Sequence, residues 1–254
     1  MKRIAFFVLP ITITTALLLG CSNNATQSAR KGIVFNASSQ ADFNELASTL
    51  NDLENKSIFI AKVSVEEAHS YVYPNSDDIY TQITPNVLEI YKGSYNNEKL
   101  ELYGGEMLYT DYYNALSDED KEMNSFDTSK YSQNEIDSAR VYWNFCNLYV
   151  PQVGDTLLYF GVRSDDGNYY VSYDYQGVFL LQDGNFVNQA LIVDQNNWQE
   201  PLVTDLLSLT ETKIVDSTEN LVRTIDNVEY TYHQDSYSTM VAIPENTLIR
   251  AIQE

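Results

Sequence analysis

Two cysteines and two histidines in 254 residues leave few of the familiar chemistries open. With only Cys21 and Cys146 there is no disulfide framework. Zinc requires clustered histidine or cysteine, and His69 and His233 are far apart in the chain. Cys146 closes the run Val141-Tyr142-Trp143-Asn144-Phe145-Cys146. That aromatic setting reads as core, where free cysteine is commonly found. A Gly-rich phosphate loop and a nucleophile elbow are both missing. Basic residues are scarce too: 15 Lys and Arg stand against 36 Asp and Glu, a formal net charge of −21. Such a surface repels phosphate backbones and anionic headgroups, which excludes nucleic acid as a partner.

The acidic residues do not compose a site of their own. Glu66-Glu67, Asp77-Asp78, Asp118-Glu119-Asp120 and Asp165-Asp166 are adjacent pairs and runs of the kind such a composition generates in solvated loops. Neither Asp165-Asp166-Gly167-Asn168 nor Asp118 to Asn124 has the ligand spacing of a calcium loop with its distal Glu. The sequence therefore assigns no catalytic, cofactor-binding or metal-ligating residue, and the expectation is a protein that is not an enzyme and carries no cofactor. Acidity does not mean disorder here. Hydrophobic residues make up 44% of the chain and aromatics 13%, enough for a sizeable core.

One long uncharged run is present. Lys2 and Arg3 precede Ile4 to Leu19, which carries no charge and falls short of the ~20 residues a membrane-crossing helix needs. Its length suits the apolar region of a signal peptide. It ends Leu18-Leu19-Gly20-Cys21, the pattern of a lipobox, in which a small residue admits the peptidase and the next thiol takes a diacylglyceryl group. Residues 1–20 are thus expected to be a lipoprotein signal peptide. Cys21 is expected to be the lipidated, palmitate-bearing residue, and residues 21–32 a flexible spacer, polar and without period. The acyl chains, not a basic patch, would hold the protein on the extracytoplasmic face of a bacterial cell membrane.

Beyond the spacer the pattern is mainly β. Ser39 to Leu53 has the i, i+3, i+4 stripe of a helix, with Ser39 and Asp42 as its cap. Ser57 to Glu66, Ile79 to Tyr91, Lys99 to Tyr103, Thr156 to Arg163 and Tyr169 to Tyr175 read as strands, and Glu67 to Asp78 as a Tyr-rich loop. Met107 to Asn147 reads as one or two helices inserted between strands. Asp183-Gly184 and Asp226-Asn227 mark hairpins, Pro201 to Leu209 a helix, and Met240 to Glu254 a strand and a short helix.

Several phrases carry a resemblance. They are Tyr80-Thr81, Val87-x-x-Ile90-Tyr91-Lys92-Gly93, Leu100-x-Leu102 with Gly104-Gly105, Pro151-x-Val153-Gly154-Asp155-Thr156-Leu157-Leu158-Tyr159-Phe160, and Gln176-Gly177-x-Phe179 with Asp183-Gly184. In this order they resemble a group of uncharacterised exported lipoproteins of Gram-positive bacteria. The resemblance implies an OB-like barrel akin to netrin/inhibitor-type barrels, over about residues 57 to 190, and brings no catalytic residues with it. The expected fold is α+β and mainly β. A small closed OB-like antiparallel barrel spans 33–192 with a helical insertion at about 106–147, and residues 193–254 form a C-terminal α/β extension packed on it.

Tyrosine is the one unusually abundant residue, with twenty copies. Its ring offers flat amphipathic contact area at low entropic cost. Tyr173 and Tyr175, two apart on an expected strand, would share a face and form a candidate binding patch. The expectation is a non-enzymatic binding or interaction module at the cell envelope, for a protein, peptide or glycan ligand. A cell-envelope hydrolase with cryptic acidic residues and a structural spacer are the alternatives.

Overall fold

The computed structural model describes residues 30–39, 45–73, 76–123, 126–145, 148–165, 167–193, 200–216, 220–233 and 239–254. The expected signal peptide, together with Cys21 and Cys146, lies outside the described residues. In chain order the strands and helices are β1 (Arg30–Lys31), β2 (Val34–Ser39), α1 (Leu50–Lys56), β3 (Phe59–Val72), β4 (Ile79–Lys92), β5 (Leu100–Tyr103), β6 (Gly105–Leu108), α2 (Tyr109–Ala115), α3 (Asp118–Met123), α4 (Gln133–Asp137) and β7 (Arg140–Phe145). They continue with β8 (Thr156–Arg163), β9 (Tyr169–Val171), β10 (Val178–Gln182), β11 (Asn185–Val193), α5 (Pro201–Leu207), β12 (Lys213–Asp216), β13 (Asn220–Ile225), β14 (Val228–His233), β15 (Thr239–Pro244) and α6 (Glu245–Ala251).

Five strands close a barrel. β3 pairs antiparallel with β4 and β8, β4 with β5, and β8 with β9. The ring shuts where β5 and β9 run parallel through Leu100↔Tyr169 and Glu101↔Tyr170. Numbered along the chain, the barrel strands follow one another as first, second, third, fifth, fourth, with α2, α3 and α4 entering between the third and fourth. That is the OB-like arrangement, with one parallel seam among otherwise antiparallel ones. Register shifts in the long β3–β4 pair, at Ile60/Ala61, Lys62/Val63 and Val65/Glu67, bend the hairpin so that it can wrap.

Alternation supplies the interior. Phe59, Ala61, Val63, Val65, Ile83, Leu100 and Leu102 point inward and are buried. In β8, Leu157, Leu158, Tyr159 and Phe160 are all buried, because one face lines the barrel and the other packs against α1 and the rest of the same core. The Tyr159 hydroxyl reaches the carbonyl oxygens of Glu101 (3.0 Å) and Tyr169 (2.8 Å), the backbone groups beside the parallel seam. Gly93, at φ +81°, ends β4 where a Cβ would collide with the Ile58 carbonyl.

From β8 the sheet continues through β10, β11, β15 and β12. Residues read as the extension therefore share a sheet with β11. The tail's α5 and α6 bury Leu202, Val203, Leu206 and Leu248 in the same core as the barrel. Two smaller sheets, β2-β7-β6 and β1-β14-β13, complete the molecule. The Asp183-Gly184 and Asp226-Asn227 turns have positive φ at both positions, as two-residue hairpin loops require.

The structure corrects four local expectations. α1 begins at Thr49, not Ser39: Asp52 N–H donates to Thr49 Oγ1 at 3.1 Å and Thr49 N–H to Asp52 Oδ2 at 2.9 Å, a reciprocal box. Glu67 to Val72 is strand, paired residue by residue with Ile79 to Thr84. The inserted segment contains β6 and β7 as well as helices, since Val141 and Trp143 bury one face of β7 and Tyr142 the other. Arg30–Lys31, read as the end of a flexible spacer, pair parallel with Val228 and Glu229. Among the described residues no helix is long and apolar enough to cross a membrane.

Tyr159→Phe preserves the ring and leaves those two buried carbonyls without their phenolic donor. The expected loss is about 1–3 kcal/mol in urea unfolding. Tyr113→Phe, on an exposed ring, is expected to stay within about 0.5 kcal/mol of the parent.

Candidate functional site

The outward faces of the same strands carry a different chemistry. Ile79 and Ile83 of β4 and Leu100 and Leu102 of β5 point into hydrophobic cores. Their neighbours Tyr80, Gln82, Glu101 and Tyr103 therefore point out. Register then assembles two rows across the sheet. One is Tyr71–Tyr80–Tyr103, and the next is His69–Gln82–Glu101–Tyr170.

The first row is an aromatic ladder. Tyr80 and Tyr103 have ring centroids 4.6 Å apart, Tyr73 and Tyr80 4.8 Å, and Tyr71 and Tyr80 6.2 Å. Cross-strand pairs of this kind stiffen the sheet. Tyr80 is sandwiched and nearly buried, while Tyr73 covers it and is 41% exposed. Burial and a hydrogen bond to Tyr103 push the Tyr80 phenol well above its ordinary value. Asp78 and Asp174 act on Tyr103 from the rim, and burial raises both carboxyls.

The second row is organised by Glu101, only 2% exposed although it lies on the outer face of the sheet. Its Oε2 accepts from the Tyr71 hydroxyl at 2.7 Å. Its Oε1 accepts from Gln82 Nε2 at 2.9 Å and Asn168 Nδ2 at 3.0 Å. Three donors compensate the desolvation that an unpaired buried carboxylate would incur. Burial and the bond to Glu101 raise the Tyr71 phenol as well. The assembled surface offers aromatic faces and oxygen acceptors held on a rigid sheet.

The patch expected at Tyr173 and Tyr175 does not form there. β9 stops at Val171, and Ser172 N–H turns to the Phe160 carbonyl at 2.8 Å. Tyr173 and Asp174 adopt φ of +50° and +56°, so the two tyrosines never share a strand face. Tyr175 is 4% exposed and donates to Glu200 Oε1 at 2.5 Å. Tyr173 instead lies under Lys56, whose Nζ is 5.4 Å from the ring centre. This turn is a latch: Gln176 Nε2 donates to Glu200 Oε2 at 2.9 Å, and its Oε1 accepts from Ala47 N–H at 2.7 Å. Gly177 is required beside it, since a Cβ would sit 2.6 Å from the Ser172 carbonyl oxygen.

The other tyrosine clusters are structural. Tyr112 is buried in the core beneath the inserted helices, its phenol pushed up to about 12 by burial. Tyr230 and Tyr232 pack with Tyr142 in another core. Among the described residues no group of three His, Cys, Asp or Glu is set to hold a metal. The residues that sequence reasoning missed are Tyr80, Gln82, Glu101 and Tyr103. Their signal was the alternation Tyr80-x-Gln82 and Glu101-x-Tyr103 on strands already recognised. No protein-family model, curated protein or solved structure matches this chain.

The raised phenols set a pH dependence. The folded state holds these protons more tightly than the unfolded chain, so their contribution to stability is complete below the ordinary tyrosine value of 10.0 and is lost as pH rises above it. Urea midpoints measured along a pH series are expected to fall more steeply beyond that point in the parent than in Tyr71→Phe or Tyr80→Phe.

Proposed function

We propose that this chain is a bacterial lipoprotein, tethered through Cys21 to the extracytoplasmic face of the cell membrane, and that it acts there as a non-enzymatic binding module for envelope glycan. The address rests on Lys2-Arg3, the uncharged run to Leu19 and the Gly20-Cys21 junction. It also draws on the resemblance to exported Gram-positive lipoproteins carried by the barrel phrases.

One observation carries the ligand class: a tyrosine ladder, open at Tyr73, with Asp78 and Asp174 near Tyr103, on a sheet face held in the next row by Glu101. A sugar presents C–H faces that lie flat on aromatic rings and hydroxyls that donate to carboxylates. The outer face of the second and third strands is also where OB-like barrels take oligonucleotides and oligosaccharides. The net charge of −21 argues against the former and leaves neutral or amino sugars.

Two measurements test the two halves separately. In cells fed labelled palmitate, the parent chain is expected to carry label and partition into detergent, and Cys21→Ala to do neither. Label retained in Cys21→Ala overturns the anchor. In sedimentation with insoluble cell-wall glycan, Tyr73→Ala is expected to weaken retention about tenfold with folding intact and the melting temperature lowered by only a few degrees, from the loss of one stacked ring. Equal retention of parent and Tyr73→Ala overturns the tyrosine face as the contact.

A further inference from the structure

The opposite face of the β3–β4 hairpin borders a second site, independent of the glycan reading. Glu106, on β6, has a side chain 5% exposed and accepts from three donors on three other strands: Arg140 Nε on β7, Arg223 Nη1 on β13 and the Tyr232 hydroxyl on β14. Two guanidinium groups share one carboxylate, so a positive charge is left over inside a strongly acidic protein.

The two arginines are not equally occupied. Arg223 spends a further donor on the Val150 carbonyl at 3.2 Å and lies over the Tyr232 ring, 5.0 Å from its centre. Arg140 lies over Tyr230 at 5.8 Å and bonds Glu106 through Nε. Among the described residues, nothing accepts from its two terminal nitrogens. Its side chain is 18% exposed, enough to be reached and little enough for a charge to act strongly.

Arg140 also lines open space. One cavity of about 160 Å³ is bounded by Ala68, Ser70, Glu106, Arg140 and Gln152. Another of about 550 Å³ shares Ala68, Ser70, Glu106 and Arg140 with it and extends along Val72, Met107, Leu108 and Ala115. His69, Tyr71 and Asp111 are the remaining titratable residues along that wall. The free pair of guanidinium nitrogens has the planar fork that a carboxylate fits with two parallel hydrogen bonds. Asp111 on the same wall offsets part of the arginines' charge and opposes a dianion, which leaves a monoanion held by the guanidinium fork as the better fit. The apolar wall receives the rest of the molecule.

We propose that Arg140 anchors a small monocarboxylic acid with an apolar body, its carboxylate on the terminal guanidinium nitrogens and its body along Met107, Leu108 and Ala115. Calorimetry on the full chain, with benzoate as the probe and benzamide and inorganic phosphate as comparisons, tests this. Benzoate is expected to bind saturably with one site, and both comparisons at least tenfold more weakly. Arg140→Gln is expected to weaken benzoate about ten- to a hundredfold. Arg140→Lys, which retains charge without the fork, should lie between. Ala115→Trp, at an exposed position on the wall, obstructs the apolar end of the cavity without touching the charge cluster and should weaken benzoate with folding intact, so the test survives even if Arg140→Gln does not fold. Benzamide binding as well as benzoate, phosphate binding better, no saturable benzoate heat, or benzoate indifferent to both Arg140→Lys and Ala115→Trp would each overturn the proposal.

Discussion

The barrel depends on its shortest seam. β5 and β9 meet through only two residue pairs, Leu100↔Tyr169 and Glu101↔Tyr170. So brief a parallel ladder supplies few hydrogen bonds of its own, and the Tyr159 hydroxyl approaches the Glu101 and Tyr169 carbonyls from inside. Glu101 is where the inner and outer architectures join. Its carbonyl faces Tyr159 in the core, while its carboxylate gathers Tyr71, Gln82 and Asn168 outside. Loss of closure would therefore scatter the tyrosine ladder along with the core.

Several polar groups buried elsewhere are likewise paired with partners distant in sequence. Ser57 Oγ meets Ser172 Oγ at 2.7 Å, Asn188 Nδ2 donates to the Tyr175 carbonyl at 2.9 Å, and Gln176 joins Ala47 to Glu200. These bonds tie α1, the turn after β9 and the approach to α5 to one another. Lys62 of β3 is ion-paired to Glu245 at the start of α6. A chain without disulfides among its described residues thus fastens distant segments with hydrogen bonds and ion pairs whose partners are out of reach of any local pattern.

That long-range character explains what could be read beforehand. The hairpin turns at Asp183-Gly184 and Asp226-Asn227, the helix opened by Pro201 and the buried run of β8 are local signals, and each appears as expected. β7 was hidden because both of its faces are buried, which removes the alternation that marks a strand. The second half of β3 was hidden because Glu66 to Tyr73 is polar and aromatic on its outward side. The tyrosine site was visible only as an abundance. Its location needed the register that sets Tyr71 beside Tyr80 and Tyr80 beside Tyr103, and register is settled by pairing partners and bulges rather than by any one segment. Glu106 gave no signal, since its partners Arg140 and Arg223 come from strands of two different sheets.

The small ladder between β1 and β14 has a geometric consequence. Lys31 is held opposite Glu229, and Gly32 N–H bonds the Glu229 carbonyl at 2.7 Å, so Arg30 is fixed at the edge of this sheet. Nine peptide steps separate Cys21 from Arg30 in the sequence. Fully extended they reach about 30 Å. With the lipid on Cys21 as proposed, that length is the upper bound on the distance from the anchor to the edge of the β1-β14-β13 sheet. This sheet would then be confined to a shell about 30 Å deep. Screening in physiological salt weakens repulsion between its acidic surface and the headgroups beyond about 8 Å. Most of that shell is electrostatically quiet, so on this proposal the number of residues rather than the charge sets how far from the membrane the sheet can stand.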